Sequence, residues 1–333
     1  MRIAVTGSIA TDHLMVFPGR FADQLIPDRL AHVSLSFLVD ALEVRRGGVA
    51  ANICFGLGGL GLAPLLVGAV GADFAEHEVW LKEHGVDTGA VHVSAERGTA
   101  RFMCITDEDA NQIAAFYAGA MQEARDIDLA RSLHGRPRPD LVLVGPDDPE
   151  AMLRHTRECR RLGLPFAADP SQQLARLDGP QVRDLVDGAR WLFTNEYEAA
   201  LLLERTGWDR DDVLARVGAW VTTLGSAGVR VDRAGHAPLT VDAVPDAPVT
   251  DPTGVGDAFR AGFLAALGHD LPLPAAARLG CVLASTALST VGSQTYRVDR
   301  HHLLATAERA YGAAAADELA PALHALEVLD GTP

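Results

Sequence analysis

Short apolar segments of strand length alternate along most of this 333-residue chain with amphipathic segments of helix length. This alternation is the βαβ pattern of a mainly parallel sheet with helices on both faces, so the predicted fold class is α/β. The predicted strands are Ile3–Thr6, Leu65–Gly68, Leu141–Val144, Phe166–Ala168, Trp191–Phe193 and Trp220–Thr223. The predicted helices are Ala50–Leu60, Phe74–His84, Glu150–Leu162, Glu196–Arg205 and Asp211–Val217, and then, with no strands between them, Gly254–Leu267, Ala275–Ser289 and Arg300–Tyr311.

Two segments interrupt the alternation and are predicted to form a separate small sheet. The first runs from Ile9 to Arg46 and contains the β-like run HVSLSFLV and a short helix near Asp23–Leu30. The second, Thr99–Tyr117, is predicted to form two strands joined at Glu108-Asp109. Over the carboxyl ends of the core strands, such a sheet would be a lid. We expect one domain over residues 1–333, with a discontinuous β lid formed by about 9–46 and 97–120.

The charge of the chain excludes several classes of site. The formal net charge is −15, and no block of basic residues is present, so neither nucleic acid nor a membrane surface is an expected partner. The single lysine, Lys82, lies in EVWLKEHGVDT with no glycine-rich run before it, which excludes a P-loop. A phosphate group would therefore have to be held by backbone N–H groups, by arginine or by a metal ion.

The cysteines and the apolar runs indicate a cytoplasmic protein. None of the four cysteines forms a C-x-x-C pair, so we expect buried thiols in a reducing compartment. The N-terminal run MRIAVTGSIA is too short for a signal peptide, and no apolar run approaches the ~20 residues of a membrane span.

The segment TDPTGVGDAFRAGFL carries the strongest functional signal. Gly254 and Gly256 precede an amphipathic run, so backbone N–H groups would converge at a helix N-terminus, where the helix dipole favours an anion. Asp257 falls in the first turn and could accept the proton of an attacking hydroxyl during phosphoryl transfer. The dipole would lower its pKa and weaken it as a base. The alternative is an ordinary helix start with Thr253 as the N-cap.

A second glycine-rich segment, RRGGVAANICFGLGGLG, is also predicted to begin a helix. Gly47 and Gly48 precede the helix, and Asn52 lies in its first turn. The Asn52 amide could bind two hydroxyl groups or hold a loop carbonyl. Equally, it could serve only as a local cap.

Together these motifs resemble the ribokinase-like (PfkB) family of carbohydrate and nucleoside kinases. The matching segments are GSIATD, GGVAAN, VGAVGADF, NEYE, TTLGSAG and DPTGVGDAFRAGFL, and the resemblance extends from Ile3 to about Tyr311. It implies a three-layer α/β/α sandwich with a β lid, and transfer of the γ-phosphate of ATP to a primary alcohol with Mg²⁺. It also implies a monovalent cation such as K⁺ near the anion hole, and a homodimer formed through the lid strands.

The resemblance assigns roles to individual residues. Asp257 matches the catalytic aspartate, and the anion hole matches Gly254, Val255 and Gly256, although the family usually has a small residue in place of the valine. Asp12 matches the acid that holds sugar hydroxyls, whereas without the resemblance it is a turn residue. The sugar-binding turn and the helix after it match Gly48 and Asn52.

Two further motifs match the nucleotide side of the family's site. Asn195 and Glu198 match the N-x-x-E motif that is tied to magnesium and phosphate. The nucleotide-side turn matches Thr223, Gly225 and Gly228. Taken alone, the first motif is a helix start with favourable acids, and the second is a strand-to-hairpin turn.

The acceptor is less well specified by the sequence. Phe102 and Phe116, on the two lid strands, could stack on both faces of a base or pack as a small core under the lid. Gln172 and Gln173 could read a purine edge or cap the following helix. Longer segments, such as GSIATDHL and ADPSQQLARL, resemble the adenosine kinases of actinobacteria within the family. That likeness implies further substrate contacts at Ser8, Ser36, Met121 (base pocket) and Arg176 (nearest the phosphates).

The hypothesis from sequence is therefore ATP-dependent phosphorylation of the 5′-hydroxyl of adenosine. A sugar kinase of the ribokinase or fructokinase type is the alternative enzyme. A non-catalytic nucleoside-binding protein on the same fold is the alternative from another class.

Overall fold

An eight-stranded sheet forms the centre of the fold in the computed structural model, which describes residues 1–24 and 34–328. The strands of the chain are β1 (Ile3–Thr6), β2 (Ala10–Val16), β3 (Ala41–Gly47), β4 (Leu65–Val67), β5 (Ala69–Val70), β6 (His92–Val93), β7 (Ala100–Thr106), β8 (Gln112–Tyr117), β9 (Leu141–Val144), β10 (Phe166–Ala168), β11 (Trp191–Asn195), β12 (Trp220–Thr223), β13 (Val229–Asp232) and β14 (Leu239–Val241). The central sheet has the order β14-β13-β12-β11-β10-β9-β1-β4.

The six predicted core strands are confirmed, and all pair in parallel. Their carboxyl ends meet at one edge of the sheet. The antiparallel strands β13 and β14, which extend the sheet beyond β12, were not predicted. They are only four and three residues long and follow a tight turn, so neither shows a clear apolar period.

Helices cover both faces of the sheet. They are α1 (Phe21–Gln24), α2 (Val49–Gly59), α3 (Ala75–Glu83), α4 (Leu129–Ser132), α5 (Pro149–Leu162), α6 (Gly179–Val186), α7 (Glu196–Thr206), α8 (Arg210–Leu214), α9 (Val255–Gly268), α10 (Leu273–Leu288), α11 (Arg300–Tyr311) and α12 (Ala313–Leu319). One face packs against α2, α3 and α9 to α12, and the other against α4 to α8. The predicted three-layer α/β/α sandwich is confirmed.

Strand periodicity explains how one sheet serves two cores. In β1, Ile3 and Val5 enter the core under α2 and α9, whereas Ala4 faces the opposite layer. Leu143 and Val144 divide in the same way in β9. Because successive strand residues point to opposite faces, a strand buried on both sides must be apolar throughout.

A separate four-stranded sheet has the order β3-β2-β7-β8, with β2 and β7 parallel and the outer pairs antiparallel. The two strands predicted within Thr99–Tyr117 are confirmed as β7 and β8. At their turn, the Asp107 carboxylate accepts hydrogen bonds from the backbone N–H groups of Asp109 and Asn111.

The strand prediction for HVSLSFLV is wrong where the structure describes it, because residues 34–39 have no strand. Phe37 instead packs its ring against Phe17 and Phe21. Of the helix predicted near Asp23–Leu30, α1 covers the beginning, and the rest lies outside the described residues. Strands β5 and β6 form a third, two-stranded sheet. No helix in the described parts of the chain is long and apolar enough to cross a membrane.

Candidate active site

The N-terminus of α9 opens at the edge of the sheet without a side-chain cap. Gly254 is the N-cap residue, with φ 76°, and no side chain caps the helix, whereas Asp or Asn side chains cap α5, α6, α7, α8 and α11. A Cβ atom on Gly254 would lie 2.4 Å from Cβ of Ser293, so only glycine fits. The alternative with Thr253 as N-cap is wrong. The N–H group of Val255 has only a long contact, 3.5 Å, with the carbonyl of Pro252, so the N–H groups of the first turn, including that of Gly256, can turn to an anion.

Asp257 lies in that first turn and is bonded to α2. Nδ2 of Asn52 donates to Oδ2 of Asp257 at 2.8 Å. Burial raises the pKa of Asp257 to about 7, although the hydrogen bond from Asn52 and the charge of Arg260 oppose the rise. The expected lowering by the helix dipole is therefore outweighed by desolvation. A carboxylate with a pKa near neutrality is suited to accept a proton.

The side-chain amide of Asn52 makes three hydrogen bonds within the protein, one of them the bond to Asp257. Its Oδ1 accepts from Nε2 of Gln294 at 2.8 Å and from Oγ of Ser293 at 3.0 Å. One amide hydrogen remains beyond the bond to Asp257. Asn52 is therefore not merely a local cap, and it has a single donor left for a substrate hydroxyl.

The turn before α2 is fixed by close contacts. Gly48 has φ 94°, and a Cβ there would lie 2.6 Å from the backbone of Ser8 and Ile9. Oγ of Ser8 accepts from the backbone N–H of Val49 at 3.1 Å. Ser8 is buried and caps α2 from outside the helix.

Asp12 lies on β2, in register with Arg45 on β3, and Arg45 contacts the loop before α9. The Asp12 carboxylate lies against Gly47, where a Cβ would be 2.7 Å from Oδ2. Burial raises the pKa of Asp12 to about 6, partly opposed by Arg45. Nη1 of Arg45 donates to Oδ2 of Asp251 at 2.9 Å, which connects the small sheet to the loop before the α9 N-terminus.

A buried arginine, which the sequence motifs did not indicate, supports the glycine turn at the start of α9. Nη1 of Arg260 donates to the carbonyl of Gly256 at 3.0 Å, and Nη2 donates to Oδ1 of Asp169 at 2.7 Å. The signal was present in the sequence, because Arg260 interrupts the otherwise apolar AFRAGFL run. Arg176 is exposed after the 3₁₀ turn Ser171–Ala175, and its expected role as the cation nearest the phosphates stays a prediction.

Asn195 and Glu198 form a capping box at the start of α7. Oδ1 of Asn195 accepts from the N–H of Glu198, and Oε2 of Glu198 accepts from the N–H of Asn195, both at 2.8 Å. Burial and the charge of Asp169 raise the pKa of Glu198. Its other oxygen, Oε1, has only a 3.5 Å contact from Ser171.

These residues fit a magnesium site that is completed by substrate. Within residues 1–24 and 34–328, no group of three or more His, Cys, Asp or Glu side chains is arranged to hold a metal ion. Mg²⁺ in kinases is commonly bound through one or two carboxylates and the phosphates of the nucleotide. Glu198 would hold it through Oε1, the carboxylate oxygen that has only the long contact with Ser171.

The turn after β12 has the geometry of a strand-to-hairpin connection. Thr223 ends β12, and the 3₁₀ turn Gly225–Ala227 leads into β13. Gly228 has φ 93°, and a Cβ there would lie 2.1 Å from the carbonyl oxygen of Val241. The turn lies at the carboxyl end of β12, the same edge of the sheet as the α9 N-terminus.

Phe102 and Phe116 are cross-strand neighbours, and Phe102 is also in register with Asp12. All three side chains therefore lie on one face of the small sheet. The two rings thus belong to one face of the small sheet, and stacking on both faces of a base stays a prediction. The alternative of a packed core is wrong, because Phe116 is 52% exposed. Met121, expected in the base pocket, is buried against Ala10 and Ala100.

The three remaining predicted substrate contacts, Gln172, Gln173 and Ser36, have different surroundings, and Gln172 is linked through Ser171 to Glu198. Nε2 of Gln173 donates to the carbonyl of Asp147 at 2.7 Å, and Gln173 is buried, so it ties two loops together rather than reading a purine edge. Gln172 is exposed and bonded to Ser171. Ser36 is exposed beside Phe37.

Comparison with known proteins agrees with this geometry. The family described as pfkB family carbohydrate kinase matches residues 8–299. The nucleoside kinase of Burkholderia thailandensis, solved in complex with inosine, is 34% identical with a TM-score of 0.81, and the match covers 93% of this chain and 98% of that one. The same protein has been solved in complex with ADP-inosine, at 35% identity and a TM-score of 0.79, over 93% of this chain and 96% of that one.

Two relatives extend the comparison. The nucleoside kinase of Methanothermobacter thermautotrophicus is 30% identical over 271 residues, which are 80% of this chain and 86% of that protein. The ribokinase of Bacillus subtilis is 29% identical over 253 residues, which are 74% of this chain and 83% of that protein. With an uncapped glycine turn, a carboxylate of raised pKa and a family match over most of its length, this chain belongs to the pfkB family of carbohydrate kinases.

Proposed function

We propose that this protein is an ATP-dependent nucleoside kinase that phosphorylates the 5′-hydroxyl of adenosine. The observation that carries the proposal is the pairing of the uncapped α9 N-terminus with Asp257, whose carboxylate has a pKa of about 7 and a hydrogen bond from Asn52. An anion site and a proton acceptor thus share one helical turn.

In the proposed reaction, Asp257 accepts the proton of the 5′-hydroxyl as its oxygen attacks the γ-phosphorus of ATP and ADP leaves. The transition state is loose, so stabilisation of charge on the equatorial oxygens matters more than covalent assistance. The N–H groups of Gly254, Val255 and Gly256 supply that stabilisation. Arg260 holds the Gly256 carbonyl, which fixes the direction of the peptide groups. Bound Mg²⁺ at Glu198 would neutralise phosphate charge.

On the acceptor side, we propose that Asp12 and the free Asn52 amide hydrogen hold ribose hydroxyls, and that Phe102 and Phe116 contact the base from one side. We also propose that the small sheet acts as a lid over this site. The Arg45–Asp251 ion pair supports that role, because it joins a lid strand to the loop before α9. Thr223, Gly225, Gly228 and Asn195 remain proposed contacts of the nucleotide.

The relatives bear on the choice of acceptor. Nucleoside kinases, one of them bound to inosine, favour a nucleoside, and the likeness to a ribokinase keeps a sugar as the second candidate. The platform of Phe102 and Phe116 favours the nucleoside, because a free sugar has no flat base to place on it.

The proposal is tested by release of ADP from ATP with adenosine, inosine, cytidine, ribose or fructose as acceptor, with and without K⁺. We expect the highest kcat/KM with adenosine, and a loss of at least ~10²-fold in Asp257→Asn. The control variant is Asp317→Asn, an exposed change on α12. Turnover of ribose alone would make the protein a sugar kinase. Release no faster than in Asp257→Asn with every acceptor would overturn the enzyme proposal.

A homodimer through the lid is part of the same proposal. The lid face opposite Asp12 exposes Leu42, Val44, Ile113 and Tyr117, each at least 45% exposed. We propose that a second copy covers this face. Sedimentation velocity of the wild type and of Val44→Glu is expected to show dimer and monomer, respectively; a wild-type monomer would contradict it.

A further inference from the structure

A buried chain of hydrogen bonds runs from α3 to Asp257. Nε2 of His77 and Oε1 of Gln294 are 2.9 Å apart, Nε2 of Gln294 donates to Oδ1 of Asn52 at 2.8 Å, and Nδ2 of Asn52 donates to Oδ2 of Asp257 at 2.8 Å. The first three side chains are nearly solvent-free, at 5%, 2% and 6% exposed. Neither His77 nor Gln294 belongs to the glycine-rich motifs or to the N-x-x-E motif.

The chain has a direction. Because Gln294 donates through Nε2 to Asn52, its Oε1 faces His77 and must accept, so Nε2 of His77 carries the proton. Burial and the charge of Arg46 lower the pKa of His77 to about 4, although the bond to Gln294 opposes the shift, so the ring is neutral at physiological pH. Nδ1 then has a lone pair and no hydrogen, and it has no hydrogen-bond partner among the described residues. Each of the three side chains therefore donates one hydrogen bond in the direction of Asp257.

We propose that Gln294 and His77 are positioning residues, which hold the Asn52 amide with its N–H toward the Asp257 carboxylate. The inference rests on the proposed function for its catalytic meaning. Without the Gln294 donor, Oδ1 of Asn52 would keep only Oγ of Ser293, a hydroxyl that also lies 3.2 Å from the carbonyl of Arg46 and can donate there instead. The Asn52 amide could then rotate by 180° and present its carbonyl oxygen to Asp257. That orientation would favour the protonated carboxyl group and remove a base from the site.

Substitution of Gln294 or His77 leaves the other charged groups around Asp257 in place. Arg260, on its own helix, lowers its pKa, whereas Asp169 and Asp12 raise it, and the buried Tyr296 hydroxyl is close enough to feel its charge. His77 faces Arg46 and the ring of Phe74 in addition to Gln294. A change in the pKa of Asp257 after substitution of Gln294 or His77 would therefore reflect the loss of the hydrogen bonds that orient the Asn52 amide.

The test measures the pKa of Asp257 directly, by ¹³C-carboxyl NMR titration of the full-length protein, with the signal assigned through Asp257→Asn. In Gln294→Met and His77→Leu we expect an upward shift of about 0.5–1 unit. In His77→Gln, whose amide can donate to Gln294, we expect most of the shift to be abolished. In kinetics, Gln294→Met is expected to lower kcat about 3- to 10-fold at pH 7 while the KM for nucleoside changes less than about threefold.

The control is His155→Leu, because His155, on α5, is also a buried helical histidine, and its Nε2 lies 3.3 Å from the backbone carbonyl of Ile127. It should lower stability and leave the pKa of Asp257 unchanged. An unchanged pKa in both Gln294→Met and His77→Leu would overturn the proposal, as would an equal shift in His77→Gln and His77→Leu. If Gln294→Met does not fold, the comparison of His77→Leu with His77→Gln decides between the outcomes. Because the NMR titration needs no substrate, failure of the proposed kinase activity would be seen separately, as absent turnover in the wild type.

Discussion

Arg260 and Asp169 form an ion pair that is almost wholly withdrawn from solvent, with side-chain exposures of 8% and 1% and a shortest N–O distance of 2.5 Å. The same guanidinium donates to the carbonyl of Gly256. One residue therefore joins the carboxyl end of β10 to the anion-hole turn of α9.

Breaking this pair from one side should be costly. We expect Arg260→Met to lower the free energy of unfolding by about 3–5 kcal/mol, because Asp169 is left as a buried, unpaired charge. Urea denaturation measures the loss. The double variant Arg260→Met/Asp169→Leu should recover much of it and yet remain slow in catalysis, because the Gly256 carbonyl stays unsupported.

A partly exposed pair provides the comparison for that experiment. Arg154 and Glu158 are spaced i,i+4 on α5, and Arg154 is 37% exposed. Arg154→Met should cost less than about 1 kcal/mol. Similar losses in the Arg154 and Arg260 variants would contradict the special role of the buried pair.

The dependence of catalysis on pH should reflect Asp257. Its folded pKa is raised to about 7, so the fraction able to accept a proton falls as the pH falls below that value. We expect kcat/KM to decrease toward tenfold per pH unit on the acidic side. Direct chromatographic measurement of the nucleotide product avoids the pH response of coupling enzymes. The Asp12→Asn variant should keep this decrease on the acidic side, since the pKa of Asp12 is lower, at about 6. A flat profile between pH 5.5 and 7.5 would contradict the assignment.

The same raised pKa predicts that Asp257 destabilises the protein at neutral and alkaline pH. Its pKa is 3.8 in the reference state and about 7 when folded, so the folded state binds the proton more tightly. The folded carboxyl group is not penalised below about pH 4, and stability is lost as the pH rises from there through 7. Asp257→Asn should therefore be about 1–4 kcal/mol more stable than the wild type at pH 8, and the difference should shrink toward pH 4. Urea unfolding at both pH values measures it; a difference independent of pH would contradict the prediction.

Gly254→Ala should damage the anion-hole turn. The alanine would be held at positive φ, and its Cβ would meet Cβ of Ser293 at 2.4 Å. We expect a loss of stability of at least about 1–3 kcal/mol and a larger relative loss of kcat than of nucleoside affinity. Gly207→Ala is the matched control, because Gly207 has φ 67° with open space around it and lies at the end of α7. Equal effects in the two variants would mean that backbone strain alone accounts for the result.

Asp12→Asn tests the proposed ribose contact. A carboxylate can accept from two vicinal hydroxyl groups more strongly than an amide can, so we expect the KM for adenosine to rise about 10- to 100-fold with a smaller change for ATP. Preference for adenosine over 2′-deoxyadenosine should also fall. Asp40→Asn, an exposed change just before β3, serves as the control. An unchanged preference in Asp12→Asn would place the ribose hydroxyls elsewhere.

The amino-acid sequence by itself determined the parallel core and the glycine turn that begins α9. Strands such as Leu141–Val144 are buried on both faces, so they consist of uninterrupted apolar residues, and the glycine at position 254 suits the positive φ, 76°, of the N-cap of α9. Local chemistry of this kind is visible in a linear pattern.

Only the tertiary structure decided which distant side chains complete the site. Arg260 meets Asp169 across 91 positions, and Asn52 meets Gln294 across 242. Tertiary structure also decided that Phe102 and Phe116 lie side by side, and that Gln173 donates a hydrogen bond to the backbone carbonyl of Asp147. The pKa of Asp257 also depended on tertiary structure, because burial by the surrounding elements outweighed the local helix dipole. Pairing and desolvation depend on which elements pack together, and no short segment contains that information.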